Sequence, residues 1–190
     1  MRIISGIAKG RSLSSVAGPT RPTSDRAREG LFSSLLSEFG DFVGLSVLDL
    51  FAGSGAIGLE ALSRGASIVA AVEQDASASK TITKNAELVN SAGPAGKFAL
   101  HSMSVESFID SASPISYDVI FIDPPYELPA AEIAALLEKA LLRGFISSSC
   151  VIAVERDAKS DKFLWPTGLS AMRERNYGQA VIYYGTPASV

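Results

Sequence analysis

Cysteine and histidine occur once each in this 190-residue chain, as Cys150 and His101. A single cysteine permits no internal disulfide, and one Cys with one His falls short of the ligands that a structural zinc needs. Both are therefore read as packing residues. Long apolar runs are missing too, since none approaches the ~18 residues of a membrane-spanning helix. The first residues carry Lys9, Arg11 and Arg21 where a secretory leader needs its apolar stretch. These absences point to a cytoplasmic protein with no membrane partner. What is present is ordinary for a globular chain. Apolar residues make up 47% and charged residues 19%, a balance that excludes disorder. The length fits one domain, with room for a small appendage and a substantial core.

Basic residues are scarce overall, and the net charge is −3, which by itself argues against a nucleic-acid partner. Their distribution argues the other way. Arg2, Lys9, Arg11, Arg21, Arg26 and Arg28 stand against only Asp25 and Glu29 in the first 30 residues, a local balance of +4 on a body of −7. A basic arm on an acidic body is a means of meeting phosphate; a solvated basic face with no partner has the same composition.

The chain alternates between apolar strands and helices. Two short strands around a turn are expected from Arg2 to Leu13, then a Pro/Gly-rich stretch, Gly18 to Thr23. A helix capped by Thr23 or Ser24 follows and runs to Gly40, with Ala27, Leu31, Leu35 and Phe39 along one face. Five buried strands are expected at 47–51, 68–73, 97–103, 117–123 and 150–155, separated by helices, and a closing hairpin at 169–184. Such alternation predicts an α/β fold, a doubly wound, mostly parallel sheet of seven strands with an antiparallel C-terminal hairpin. A small N-terminal β-hairpin and helix precede it.

Two strand ends carry the chemistry. After the first strand, Gly53, Gly55 and Gly58 fit G-x-G-x-x-G, opening a helix. Glu73, twenty residues past Gly53, ends the second strand where an acidic residue takes ribose hydroxyls. Dinucleotides and S-adenosylmethionine (SAM) both bind this scaffold. Asp49, four residues before Gly53, favours the second. Its carboxylate in the crevice would repel a pyrophosphate but attract an ammonium and a sulfonium. An NAD(P) oxidoreductase is correspondingly disfavoured. At the other strand end, the run Tyr117 to Ile122 stops at Asp123-Pro124-Pro125-Tyr126. Neither proline has an N–H to continue a ladder. A carboxylate, a carbonyl and a ring are thus held stiffly together, suited to gripping a planar amino group. Taken alone, the four residues read equally well as a Pro-rich turn.

Asp49-Leu50-Phe51-Ala52-Gly53-Ser54-Gly55 resembles the first SAM-binding motif of class I methyltransferases. Asp123-Pro124-Pro125-Tyr126 resembles the D/N-P-P-Y/F motif of those that methylate exocyclic or amide nitrogens. Arg2-Ile3-Ile4-Ser5-Gly6, Lys9-Gly10-Arg11 and the stretch Arg21-Pro22-Thr23-Ser24-Asp25-Arg26 to Phe32 are similar to the RsmD family, which methylates a guanine N2 of 16S rRNA. The resemblance implies a Rossmann-like methyltransferase domain over 45–190 and an RNA-contacting extension over 1–44. It implies SAM as cofactor and no metal, and as partner 16S rRNA or the small ribosomal subunit met by a monomer. Carried over by position, Asp123, Pro124, Pro125 and Tyr126 would be catalytic. Asp49, Phe51, Ala52, Gly53, Gly55, Glu73, Gln74, Ser104 and Val105 would hold the cofactor, and Arg2, Lys9, Arg11, Arg21, Thr23 and Arg26 the substrate. The chain departs from the family at Ser104, where an acidic residue usually contacts adenine; the Val105 N–H is a substitute. Gly30 is a second oddity, a helix breaker costing about 0.5–1 kcal/mol inside a helix.

The rival readings are an amino-methyltransferase acting on DNA adenine or protein glutamine, and a non-catalytic SAM- or RNA-binding module. The first calls for Asn at position 123 and a separate target-recognition region. The second calls for decay of one of the two motifs, and both are intact.

Overall fold

The computed structural model describes residues 1–16 and 25–188. Arg21 and Thr23, and the expected helix caps Thr23 and Ser24, lie outside the described residues. The element order is α1 (Asp25–Phe39), β1 (Ser46–Leu50), α2 (Ala56–Ser63), β2 (Ile68–Val72), α3 (Ala76–Asn90), β3 (Lys97–His101), α4 (Val105–Ser111), β4 (Tyr117–Ile122), α5 (Ala130–Leu142), β5 (Ile146–Asp157), β6 (Leu169–Tyr177) and β7 (Ala180–Pro187). The strands form one seven-stranded sheet in the order β3-β2-β1-β4-β5-β7-β6. Neighbours from β3 to β5 are parallel; β5 with β7 and β6 with β7 are antiparallel. The expected sheet is therefore the observed one. Among the described residues no helix is long and apolar enough to cross a membrane.

Strands β1, β2 and β4 are rich in Val, Ile and Leu because both of their faces are covered. One face carries α1, α2 and α3 through Leu31, Phe32, Leu59, Leu62, Ala86 and Val89. The other carries α4 and α5 through Phe108, Ile109, Ile133 and Leu137. The two lone residues behave as packing groups. Cys150 is wholly buried, and burial pushes its thiol up. The His101 ring meets Phe108 edge-on at 4.8 Å, and its partial burial lowers its pKa.

Three local differences from the sequence pattern have physical causes. The N-terminal hairpin is present but short: Arg2 bridges Ser12, flanked by backbone hydrogen bonds from the Ile3 N–H to the Arg11 carbonyl at 3.0 Å and from the Leu13 N–H to the Met1 carbonyl at 2.9 Å. Beyond it, the backbone N–H groups of Ile4 and Ser5 donate to the Glu60 carboxylate at 2.7 and 3.0 Å. Strand β5 begins at Ile146, four residues early. The serines before Cys150 look like a loop, but Tyr117 pairs with Ile146 across a register shift. Gly30, finally, has a packing reason: a Cβ there would lie 2.3 Å from the Tyr177 ring.

Candidate active site

The parallel register brings the ends of four strands level, Leu50 opposite both Val72 and Ile122, and Ile122 opposite Val154. The residues that follow them, Phe51 to Gly55, Glu73, Asp123 and Glu155, therefore share one rim. Strand order reverses between β1 and β4, which is where open α/β sheets bind ligands. The glycine turn and the Asp-Pro-Pro-Tyr loop flank that point, and the Asp123 N–H reaches the Leu50 carbonyl at 3.5 Å.

The turn is built by its backbone. Phe51 (φ 60°) and Gly53 (φ 56°) are both left-handed, and the Ala52 N–H ties to the Val72 carbonyl at 3.0 Å. A Cβ on Gly53 would meet nothing within 4 Å, so the turn is open on that side, whereas one on Gly58 would press on Val69 Cγ1 at 3.0 Å. Glu73 Oε2 accepts the Gly53 N–H and Oε1 the Asp75 N–H, both at 2.8 Å. The carboxylate expected to meet a ribose thus also clamps the glycine turn to β2; its remaining lone pairs are what a diol would meet. Gln74, beside it, is exposed.

Asp49 sits beneath the turn, 1% exposed, with Oδ2 accepting the Gly58 N–H at 2.9 Å. Burial pushes its carboxyl up to about 8, opposed by the Gly58 N–H and helped by the like charges of Asp123 and Glu73. With Glu73 and Asp123 on the rim, the open glycine turn suits a cationic ligand, and SAM fits this set better than a pyrophosphate would; Asp49, buried and holding its proton, adds a neutral group beneath it. Ser104 is occupied as a helix cap: its Oγ accepts the Ser107 N–H at 3.1 Å, and the chain turns there into α4 with Val105 buried.

In the other loop, Pro124 is buried, Asp123 half-buried, Pro125 exposed and Tyr126 40% exposed. Pro125 offers its carbonyl to the Leu128 N–H at 2.9 Å, closing a tight turn. Two residues of β5 that the sequence pattern did not single out lie at this loop, and one of them holds it. Arg156, 4% exposed, donates from Nη2 to the carbonyls of Leu128 at 2.9 Å and Tyr126 at 3.4 Å. Glu155, 3% exposed, lies beside Asp123 on the rim, and its Oε2 has no hydrogen-bond partner. Burial first, and Asp123 second, push its carboxyl up to about 8. The available signal was two adjacent charges closing the apolar run Val151-Ile152-Ala153-Val154.

The basic residues of the N-terminal arm divide. Arg2, Lys9 and Arg26 are exposed. Arg11 is half-buried and held along the surface, its Nη1 donating to the Leu88 carbonyl and to Ser91 Oγ at the end of α3. Arg28 is fully buried, with Nη2 on the Arg2 carbonyl at 2.8 Å and on Asp25 at 2.9 Å. Its burial lowers the guanidinium pKa.

A family model described as "Conserved hypothetical protein 95" matches residues 1–186. The chain is 34% identical over 181 residues to the Ribosomal RNA small subunit methyltransferase D of Escherichia coli strain K12, covering 94% of this chain and 86% of that one. It is 39% identical over 134 residues to the Putative rRNA methyltransferase YlbH of Bacillus subtilis strain 168, covering 67% of each. Among solved structures, the Putative methyltransferase yhhF from Escherichia coli superposes with a TM-score of 0.82 at 30% identity, covering 98% of this chain and 97% of that one.

Proposed function

The chain belongs to the RsmD family, whose model bears the description conserved hypothetical protein 95, and on that premise we propose that it methylates the exocyclic N2 amino group of a guanine in 16S rRNA. It is a SAM-dependent rRNA methyltransferase by family; the base, the atom and the subunit are our reading. One observation carries it: the open glycine turn and the Asp-Pro-Pro-Tyr loop end adjacent strands, β1 and β4. A methyl donor and an acceptor amine held by those two loops lie side by side.

Asp49, Phe51, Ala52, Gly53, Gly55 and Glu73 would hold the donor, with Gln74, Ser104 and Val105 toward its adenine. The donor supplies an electrophilic methyl group on a sulfonium. The protein's part is to make a poor nucleophile competent. A guanine amino lone pair is delocalised into the ring, and it must be localised and aimed. The Asp123 carboxylate and the Pro124 carbonyl are both acceptors, so each takes one N–H of the amine and fixes its direction. The Asp123 charge also favours the positive charge that develops on nitrogen. Tyr126, exposed at the loop tip, would stack on the base, a contact of about 1–3 kcal/mol. The base must leave any stack to reach this rim.

Arg2, Lys9 and Arg26 are exposed basic residues of an arm, residues 1–44, that would meet the phosphates, with Arg21 and Thr23 in the same role. The reading places a cytoplasmic monomer on 16S rRNA or the small subunit. Its test is transfer of labelled methyl from SAM to small subunits, followed by mass spectrometry of the rRNA. N2-methylguanosine formed by the wild type and lost with Asp123→Ala is the expected result. Full activity in Asp123→Ala, or a product methylated elsewhere, overturns it.

A further inference from the structure

The N-terminal arm is fastened to the helices on both sides of the glycine turn. On α2, Glu60 accepts the N–H groups of Ile4 and Ser5, and Ser63 takes part in three further bonds. Its Oγ accepts the Ala8 N–H at 3.0 Å and donates to the Ser5 carbonyl at 2.6 Å, while its carbonyl accepts the Ile7 N–H at 2.8 Å. On α3 the arm is held by Arg11 at the helix end and, beside the glycine turn, by Asn85, which is 1% exposed. Its Oδ1 accepts the Ser14 N–H at 2.8 Å, and its Nδ2 donates to the Ser14 carbonyl at 3.0 Å. The same Nδ2 donates to the carbonyl of Ser54, inside the glycine turn, also at 3.0 Å. One buried amide therefore joins the arm to the loop proposed to hold the methyl donor.

The consequences follow from what each bond satisfies. With Ser14 in place, the amide is locked in the orientation that aims Nδ2 at Ser54. With Ser14 withdrawn, the amide loses two of its three bonds and is free to turn, and a half-buried loop carbonyl loses its fixed donor. We propose that Asn85 is a positioning residue of the donor loop, through which docking of the N-terminal arm and binding of SAM are energetically coupled. The inference rests on the reading of the glycine turn as the SAM site. Coupling of this kind is reciprocal: whatever factor the docked arm contributes to donor affinity, the bound donor returns to the arm. RNA that pins the arm by Arg2 and Lys9 would accordingly tighten the donor, and the donor would tighten RNA.

The experiment needs the full chain and SAM alone. Calorimetric titration should give at least a tenfold weaker Kd for Asn85→Leu. Ser14→Pro lacks the donated N–H and lies outside the donor loop; it should weaken SAM about fivefold. The double variant should bind no more weakly than Asn85→Leu. A Kd for Ser14→Pro within twofold of wild type overturns the proposal, as does full additivity in the double variant. Hydrogen exchange on the wild type supplies a readout independent of any variant's folding. SAM should slow exchange of the Ser14 amide at least fivefold, and an unchanged rate overturns the coupling. If wild-type protein does not bind SAM at all, the donor reading itself fails, a result distinct from SAM binding that leaves Ser14 unprotected.

Discussion

Replacing Asp49 by Asn should change how the stability of the protein depends on pH. The Asp49 carboxyl is pushed up to about 8, chiefly by burial, despite the hydrogen bond from Gly58. A carboxyl whose folded value is raised keeps a proton in the native state that the unfolded chain gives up above about pH 4. Its contribution is therefore full below that pH and is lost as pH rises toward 8. Within the window, one such proton gives a slope of about 1.4 kcal/mol per pH unit. Glu155, pushed up to about 8 by burial and by Asp123, adds a second slope of the same sign. Asn cannot ionise, and its Oδ1 can still accept the Gly58 N–H. Urea denaturation at pH 5, 6 and 7 should then show Asp49→Asn gaining on the wild type by about 1.4 kcal/mol for each unit. Parallel pH dependences for the two proteins would refute the reasoning, because they would mean that Asp49 is already ionised in the folded state.

Arg156→Leu keeps the apolar bulk in β5 but orphans the carbonyls of Leu128 and Tyr126; kcat for methyl transfer should fall about 10–100-fold, with the Kd for SAM unchanged by calorimetry. Gly30→Ala should destabilise by about 1–3 kcal/mol in denaturant, although Ala is the better helix former, and Tyr177→Leu in the same chain should restore most of that loss. Lys9→Gln should reduce the salt slope of rRNA binding by about 1. Arg11→Gln, which releases the end of α3, should lower the melting temperature and leave that slope unaltered, as read by filter binding across a salt series.

Most of the sheet was legible because its signals are local. Runs such as Val69 to Val72 read as buried strands, and Asn176 to Gln179 between two alternating segments reads as a hairpin connection, which the pairing of Tyr177 with Ala180 narrows to the two residues Gly178 and Gln179. The glycine turn and the Asp-Pro-Pro-Tyr loop were legible for the same reason: each is contiguous. What escaped depends on contacts between distant residues. Where the N-terminal hairpin stops is decided by Glu60, more than fifty residues beyond Ile4 and Ser5. Asn85 shares the buried side of α3 with Ser79, between Ile82 and Val89, and nothing local marks it as the residue that meets Ser14 and Ser54. Arg11 and Arg28 have the sequence signature of solvent-facing bases, and only packing shows that Arg28 is buried and Arg11 is tied to the end of α3.

The Gly30–Tyr177 contact has a bearing on how the chain is made. Helix α1 is fastened to β6 at three points: the Tyr177 ring lies over Gly30, Arg173 Nη1 reaches Glu38 at 2.5 Å, and Arg173 Nη2 reaches the Ser34 carbonyl at 3.2 Å. A chain synthesised from its N-terminus must hold α1 with that side uncovered until β6 emerges. Contacts of such sequence separation are slow to form, because the intervening loop has to close first. The packing of α1 is thus completed late, after the parallel core has assembled, and any truncated translation product lacking β6 carries α1 with its Gly30 and Ser34 side uncovered.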